Sequence, residues 1–219
     1  MISSLQTPRS LQVPFAHVNL RFNPFGELPV EERQQVAVVR MEQEEFSGLV
    51  NRLKRPGFVV QFRGACGRGK STHLLALRAQ FPEAPYVYFG EGAPIPAIPE
   101  APLLFLDETQ RLSPMVRRSL FRREASFVIG THKDHARELD KAGVEYRCFT
   151  LKGLDPDTLA RIVERRIQWA SRDPGEPVPR LGEAALHGLL KRFGDDLRGM
   201  EGYLYDVFQE VREVGDVKV

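Results

Sequence analysis

The sequence predicts an α/β fold in which a parallel sheet is flanked by helices and followed by a small C-terminal helical domain. The run from Phe58 to Phe62 is β-branched and aromatic and leads into a glycine-rich loop, after which apolar residues recur at helical spacing. The run from Leu103 to Leu106 is continuously apolar, as expected of a parallel strand covered on both faces. After residue 151 the apolar residues form three helical stripes, which predicts a helical bundle.

These elements divide the chain into three parts. We expect an N-terminal linker at residues 1–34, an α/β core at 35–151 and the helical domain at 152–219. Asp195 or Asp196 is placed to cap the last helix, because either side chain could accept a hydrogen bond from its free N–H groups. A length of 219 residues suits one compact domain with a smaller appendage.

Composition argues against several functional classes. The net charge of +2 is too small to indicate nucleic-acid binding by itself. The two cysteines, Cys66 and Cys148, form no disulfide framework and lack the neighbouring Cys or His residues of a zinc site. No apolar run reaches the length of a transmembrane helix, and the N-terminal residues lack the apolar core of a signal peptide. The sequence therefore predicts a cytoplasmic protein without a membrane partner.

A phosphate-binding loop lies between the first apolar strand and the helix that follows it. The segment GACGRGKST fits the Walker A pattern G-x-x-x-x-G-K-[ST], in the order strand, loop and helix that the motif requires. Its glycines let backbone N–H groups turn towards a phosphate, and the helix N-terminus adds partial positive charge. Lys70 would reach the β- and γ-phosphates, and the Ser71 hydroxyl would bind Mg²⁺. The predicted nucleotide-binding residues of this loop are Gly64, Ala65, Cys66, Gly67, Arg68, Gly69, Lys70, Ser71 and Thr72.

Two acidic residues follow the second apolar strand, in the position of a Walker B motif. Asp107 would hold the Mg²⁺ through water. Glu108 would orient and polarise the attacking water, because phosphoryl transfer depends on positioning and electrostatics more than on covalent chemistry. Together the two motifs predict a P-loop nucleoside-triphosphate hydrolase.

With these motifs the chain resembles the AAA+ ATPases, especially the small ATPases of the general-secretion and transposition type and their origin-recognition relatives. The residues that carry the resemblance are GACGRGKST, LLFLDETQRLSP at 103–114, FVIGT at 127–131 and FGDDLR at 193–198. The resemblance implies a five-stranded parallel sheet and a helical lid over the nucleotide. It also implies an ATP- and Mg²⁺-dependent switch or motor that acts on DNA or a protein partner through nucleotide-dependent assembly.

The resemblance assigns roles to further residues. Thr131, the polar residue that ends its strand, would sense the γ-phosphate, and Arg198, at the start of the last lid helix, would touch the same group. Arg147 is the first choice for the arginine finger that reaches a neighbouring subunit's nucleotide, and Arg137 is the second. Phe25, in the linker segment FNPFG, would pack against adenine.

The stretch FVIGTHKD, residues 127–134, raises the alternative of a guanine nucleotide. Many GTPases read guanine with Asn/Thr-Lys-x-Asp after a strand, but here the lysine is third in that order where it should be second. The Asp-x-x-Gly that a GTPase uses to sense the γ-phosphate is also absent, since Gln110 stands where the glycine would be. A GTPase-type switch and a small-molecule kinase are the alternative functions, and no acceptor-binding signature indicates a kinase.

Four arginines crowd a short helix that has Ser113 as its cap and Pro114 as its first residue. With Val116, Leu120 and Phe121 facing inward, we expect several of the guanidinium groups to face solvent. They would either contact the phosphate backbone of DNA or form an ordinary solvated helix face. The four residues are Arg117, Arg118, Arg122 and Arg123.

Overall fold

The computed structural model describes residues 14–219, in which helices surround one parallel sheet. The strands are β1 (Phe58–Arg63), β2 (Tyr86–Tyr88), β3 (Leu103–Asp107), β4 (Ser126–Thr131) and β5 (Glu145–Thr150). The helices of the α/β part are α1 (Val30–Gln35), α2 (Gln43–Leu53), α3 (Lys70–Arg78), α4 (Pro114–Leu120) and α5 (Ala136–Ala142). The helices that follow are α6 (Pro156–Ala170), α7 (Glu183–Phe193) and α8 (Leu197–Gln209).

The strands are parallel and lie in the order β2-β3-β4-β1-β5, which confirms the predicted five-stranded parallel sheet. Strand β4 lies between β1, which leads into the Walker A loop, and β3, which leads into the Walker B acids. In open α/β sheets, ligand sites form outside the carboxyl ends of the strands. The strand order therefore brings the two motifs to one edge of the sheet, with the end of β4 between them.

Apolar side chains leave the sheet alternately on its two faces. Leu104, Leu106, Phe127 and Ile129 are buried on the face covered by α4 and α5. The other face is covered by α2 and α3, and its buried strand residues include Val60, Phe62, Leu103, Phe105 and Val128. Because each central strand is buried on both sides, its sequence is a continuous apolar run. This packing also fixes α3 against the sheet with its N-terminus at the carboxyl edge.

Helices α6, α7 and α8 form the predicted bundle, whose core includes Leu159, Leu189 and Phe208. Residues that precede the α/β part pack into the same core, among them Val18 and Phe25. The ring of Phe25 meets the ring of Phe208 edge-on, with 5.0 Å between the ring centroids. The segment from Val18 to Phe25 is therefore attached to the helical domain. Across residues 14–219, no helix combines the length and the apolar character needed to cross a membrane.

Leu120 and Phe121 at the end of α4 are buried as predicted, but the first turns of the helix bury an arginine in addition. Arg117 is 7% exposed and donates two hydrogen bonds of 2.8 Å to the carboxylate of Glu138 on α5. Val116, which was expected to face inward, is 36% exposed. The inclusion of Arg117 in the possible DNA-contacting surface is therefore wrong, because its guanidinium pairs with a carboxylate from a neighbouring helix. The other three arginines are exposed as expected, namely Arg118, Arg122 and Arg123.

The ion pair between Arg117 and Glu138 gives a test of this helix orientation. Replacing Arg117 by Ala leaves the half-buried Glu138 carboxylate without its partner, and we expect the free energy of unfolding to fall by about 3 kcal/mol. The neighbouring variant Arg118→Ala removes an exposed arginine and should change it by less than about 0.5 kcal/mol. Urea unfolding of both variants measures the difference. Equal losses would contradict the orientation described here.

Candidate functional site

The two sequence motifs meet at the carboxyl edge of the sheet. The Walker A loop leaves β1 at Gly64, whose N–H donates to the Thr131 carbonyl at 3.2 Å, and it enters α3 at Lys70. On the other side of β4, the Thr109 hydroxyl donates to the Gly130 carbonyl at 3.2 Å. Both segments that carry motif residues are thus tied to the end of the strand between them.

The Walker A loop turns through two glycines in left-handed conformations. Gly67 has a φ of 76° and Gly69 a φ of 83°, values that residues with a side chain rarely adopt. Helix α3 begins at once, so its free N–H groups open onto the loop. Lys70 is buried, its ammonium donates to the Ala65 carbonyl at 3.0 Å, and burial lowers its pKa. The loop therefore combines backbone donors, a helix N-terminus and one amine, which suits a phosphate group.

The side chain of Asp107 lies where several elements of the site meet. Its carboxylate is fully buried, and its Oδ2 accepts from the Ser71 hydroxyl at 2.5 Å and from the Tyr86 hydroxyl at 2.9 Å. Its Oδ1 accepts from the N–H of Glu108 at 3.0 Å. Gly130 faces this carboxylate from β4, and a Cβ atom at that position would overlap with Oδ1. One carboxylate therefore joins α3, β2, β3 and β4.

Ser71 and Asp107 are the groups that could hold a magnesium ion. Mg²⁺ prefers oxygen ligands and is usually bound by one or two protein groups together with phosphate oxygens and water. A hydroxyl hydrogen-bonded to a buried carboxylate beside a phosphate-binding loop fits that preference. Within residues 14–219, no cluster of three or more His, Cys, Asp or Glu side chains could hold an ion alone. The donor set therefore fits an ion that binds together with phosphates.

Glu108 is surrounded by donor groups. Its φ of 64° is uncommon for a residue other than glycine, and such conformations concentrate at functional sites. Oε2 accepts from the Gln110 amide at 2.6 Å and lies 3.4 Å from the Arg111 guanidinium. Oε1 lies 3.3 Å from His132 Nε2 and 3.8 Å from Lys70 Nζ. These contacts hold the carboxylate beside the Walker A lysine, where a group that orients water would act.

Thr131, the predicted phosphate sensor, is turned away from the Walker motifs. Its side chain is fully buried, and its hydroxyl donates to the Lys133 carbonyl at 2.9 Å. The same oxygen accepts from the Lys133 N–H at 3.0 Å and lies 3.1 Å from His135 Nε2. Because Gly130 faces Asp107, the pleat of β4 sends the next side chain to the opposite face. The prediction for Thr131 is therefore corrected.

His132 is the residue at this strand end that faces the Walker B acids. Besides its contact with Glu108, its backbone N–H donates to the Gln110 side-chain carbonyl at 3.1 Å. His132, Glu108, Gln110 and Arg111 line one side of a cavity of about 480 Å³. Residues 89–95 also line it, at the start of a proline-rich segment that contains no helix or strand between residues 90 and 102. At the end of β4, His132 and not Thr131 is thus the residue that lies beside Glu108.

The three predicted arginines lie on three different elements, α8, β5 and α5. Arg198 is the second residue of α8 and is exposed; it follows Asp196, whose Oδ1 lies 4.0 Å from the place of a Cβ atom on Gly67 of the Walker A loop. Arg147 lies within the edge strand β5, opposite Val60, with its guanidinium 3.8 Å from Glu45. Arg137 is exposed on the first turn of α5. A role for either of the latter two in a neighbouring subunit's site stays a prediction.

Phe25 lies in the core of the helical domain and not beside the loop. Its ring is 5% exposed, with Phe208 at its edge and the Arg166 guanidinium 5.9 Å from its centroid. The prediction that this ring packs against adenine is therefore corrected, because other side chains already cover it. A cavity of about 710 Å³ lies between residues 37–46, α3 and α6. The residues that line it include Val38, Val39, Met41, Phe46, Ala76, Ala79, Arg161 and Arg165.

A buried histidine of α3 supports the Walker A loop. The N–H of Arg40 donates to His73 Nε2 at 3.0 Å, so the proton of a neutral ring is on Nδ1. That proton points to the Gly69 carbonyl, 2.7 Å away. Burial lowers the pKa of His73 to about 4, so the ring is neutral at pH 7 and keeps both hydrogen bonds. His73 therefore holds the last turn of the loop through the Gly69 carbonyl and links it to the backbone of Arg40.

Several residues of the site escaped the sequence analysis. Tyr86 belongs to a strand of apolar appearance, and its contact with Asp107 follows only from the pairing of β2 with β3. Gly130 did carry a signal, because a glycine inside a buried strand often marks a close approach of other atoms. His73 and Arg40 are separated by 33 residues and had no signal. Long-range contacts of this kind cannot be inferred from local spacing.

The close approach of Gly130 to Asp107 yields a stability prediction. In Gly130→Ala the new methyl group displaces the Asp107 carboxylate and its hydrogen bonds, so we expect the free energy of unfolding to fall by about 2 kcal/mol. Gly188→Ala is a matched control, because a Cβ there meets nothing within 4 Å and the position is helical. This control should raise stability by up to about 1 kcal/mol. A Gly130→Ala protein as stable as the control would contradict the geometry.

Comparisons with known proteins identify the fold. No protein-family model and no curated protein matches the sequence. The structure is similar to domain III of the replication initiation protein DnaA from Thermotoga maritima, with a TM-score of 0.53 and 14% identity over 80% of this chain and 86% of that chain. It is also similar to the Thermotoga maritima RuvB Holliday junction branch migration motor, with a TM-score of 0.50 and 12% identity. That match covers 80% of this chain and 66% of the RuvB chain. The chain therefore has the fold of the AAA+ P-loop ATPases.

Proposed function

We propose that this chain is a Mg²⁺-dependent ATPase that works as a nucleotide-driven switch or motor. One observation carries the proposal, namely the meeting of the two motifs across β4. The Ser71 hydroxyl is 2.5 Å from Asp107 Oδ2, and Lys70 Nζ is 3.8 Å from Glu108 Oε1. If the segment were an ordinary glycine-rich turn with an unrelated lysine, its serine and lysine would not be expected to lie beside two acidic residues from another strand. Groups for phosphate, metal ion and water thus converge at one point.

Each group has a defined part in the proposed reaction. The loop N–H groups and Lys70 bind the β- and γ-phosphates, and Ser71 and Asp107 hold Mg²⁺, which neutralises charge on the phosphates. Glu108 orients the attacking water towards the γ-phosphate. His132 lies beside Glu108 and takes the sensor role that the sequence assigned to Thr131. Arg198 adds a cation from the helical domain.

The cavity between residues 37–46, α3 and α6 is the proposed place for the base. Its wall combines apolar side chains from residues 37–46 and α3 with charged and polar side chains from α6, and a purine ring binds between apolar side chains and a few polar groups. It also adjoins the loop, because Val39 lines it while the guanidinium of the next residue, Arg40, donates to the Arg68 carbonyl at 2.6 Å. This location replaces the contact with Phe25.

A guanine nucleotide is less well supported. Asp134, the residue that would read guanine, is engaged by Arg63 at 2.5 Å and by the Gln61 amide at 3.1 Å. It also accepts from the Ala136 N–H, and this hydrogen bond is the main cause of its lowered pKa. Its carboxylate therefore already serves to attach the start of α5 to β1.

Two substitutions test the ATPase proposal. Lys70→Ala removes the only side-chain amine of the loop and should lower kcat/KM for ATP by about 100-fold or more. Glu108→Gln keeps the shape of the side chain but loses its charge, so we expect ATP binding to persist while kcat falls by about 100- to 1,000-fold. Steady-state phosphate release and binding of a fluorescent ATP analogue measure the two effects.

The control for these variants is Glu210→Gln, which makes the same chemical change at an exposed position after α8. It should hydrolyse ATP like the wild type. Preference for GTP over ATP would contradict the nucleotide assignment. Turnover by Glu108→Gln at the wild-type rate would remove Glu108 from the mechanism.

DNA is the partner that a specific observation favours. Three exposed arginines follow or lie on α4, and a nucleic-acid backbone is recognised mainly by such cations. Arg117 is excluded from this surface by its ion pair with Glu138. The proposed contact surface consists of Arg118, Arg122 and Arg123.

A triple substitution of Arg118, Arg122 and Arg123 to Ala should weaken binding to duplex DNA and flatten its dependence on salt, with the log–log slope reduced by about 3. Fluorescence anisotropy at several salt concentrations measures this. A second triple variant changes the net charge equally at exposed arginines elsewhere, namely Arg172, Arg180 and Arg212. Similar losses in both triple variants would argue against a specific surface.

A further inference from the structure

Residues outside the Walker A loop contact both the side chain and the backbone carbonyl of Arg68. Its side chain forms an ion pair with Asp195, which lies in the turn between α7 and α8. Its carbonyl accepts from Nη2 of Arg40 at 2.6 Å. The Walker A pattern leaves this position open, since the loop binds phosphate with its backbone. The contacts of Arg68 are therefore additional to those that phosphate binding requires.

Both partners of Arg68 also contact the connector between β5 and α6. Nη1 of Arg40 donates to the Lys152 carbonyl at 2.8 Å and to the Gly153 carbonyl at 2.6 Å. Oδ1 of Asp195 accepts from the Leu154 N–H at 2.7 Å. The loop, the connector and the α7–α8 turn are three separate segments of the chain. Two side chains thus join all three at the base of the helical domain.

The charges at this junction would interact with a phosphate bound in the Walker A loop. Asp195 is ionised at neutral pH, because the Leu154 N–H and then the Arg68 guanidinium keep its pKa below the ordinary value. A phosphate held by the loop attracts the guanidinium of Arg68 and repels the carboxylate of Asp195. It also attracts Arg198, three residues further along. Occupation of the loop therefore changes the balance of forces on the turn that begins α8.

We propose that Arg68, Asp195 and Arg40 are positioning residues through which a nucleotide in the Walker A loop sets the position of the helical domain. The inference rests on the proposed ATPase function, because a phosphate ligand is what changes the balance. The link acts on catalysis by placing Arg198, while the loop N–H groups and Lys70 account for most of the binding. Breaking the link should therefore lower kcat much more than it raises KM.

Variants that remove one charge at a time test the link. Asp195→Asn keeps an acceptor for the Leu154 N–H but removes the charge that pairs with Arg68. We expect kcat for ATP to fall about tenfold, with KM within about threefold of the wild type. Arg68→Gln should behave in the same way. The double variant should be no worse than either single variant, because the two residues act as a pair.

The matched control is Asp216→Asn, which makes the same change in another exposed ion pair. Asp216 lies 2.7 Å from Arg180, and neither residue belongs to the three segments that the link joins. It should leave both kinetic constants unchanged. A second readout is amide hydrogen exchange of residues 152–155 with and without a non-hydrolysable ATP analogue. The wild type should change its exchange on binding the analogue, and Asp195→Asn should not.

The outcomes separate the two proposals. If Asp195→Asn hydrolyses ATP with the kcat of the wild type, the link is overturned and the ATPase proposal stays intact. The same conclusion follows if both proteins show the same exchange response. Additive losses in the double variant also overturn it, because independent residues do not form a pair. If the wild type binds no ATP, the ATPase proposal and the link fail together.

Discussion

The structure of the site depends on one buried carboxylate. Asp107 accepts hydrogen bonds from the hydroxyls of Ser71 and Tyr86, and the space it occupies exists because Gly130 has no side chain. Burial of a carboxylate is costly unless hydrogen bonds compensate for the lost hydration. This requirement connects three strands and the Walker A helix at one point. The same atoms that stabilise the fold are thus the ones that a metal ion and a triphosphate would use.

The surroundings of Asp107 follow from its position at the carboxyl edge of the sheet. Glu108, one residue later, is held between Gln110, Arg111 and His132 in a left-handed backbone conformation. That conformation has a cost, which the hydrogen bond from Gln110 and the nearby charges of Arg111 and Lys70 offset. The Walker A loop is held in turn by two contacts. The ring of His73 contacts the Gly69 carbonyl, and Arg68 pairs with Asp195 of the helical domain. The site is therefore fixed on each side by residues of a different element.

Local patterns predicted the parts of the site that are contiguous in the sequence. The Walker A loop and the Asp107-Glu108 pair each follow an apolar strand, and parallel strands end at one edge, so their meeting could be inferred. The face of the sheet to which a given side chain points could not be inferred in this way. Thr131 and His132 are adjacent, and only the contact of Gly130 with Asp107 shows which of them faces the motifs. Arg117 was misplaced for a similar reason, since its partner Glu138 lies 21 residues away.

The central claim is that Asp107 and Ser71 form a metal site that acts together with the Walker A loop. The most direct measurement is calorimetric binding of a non-hydrolysable ATP analogue, with Mg²⁺ and with EDTA, to the wild type and to Asp107→Asn. We expect Mg²⁺ to tighten binding by about tenfold or more in the wild type and to have little effect in the variant. Equal enhancement by Mg²⁺ in both proteins would contradict the claim.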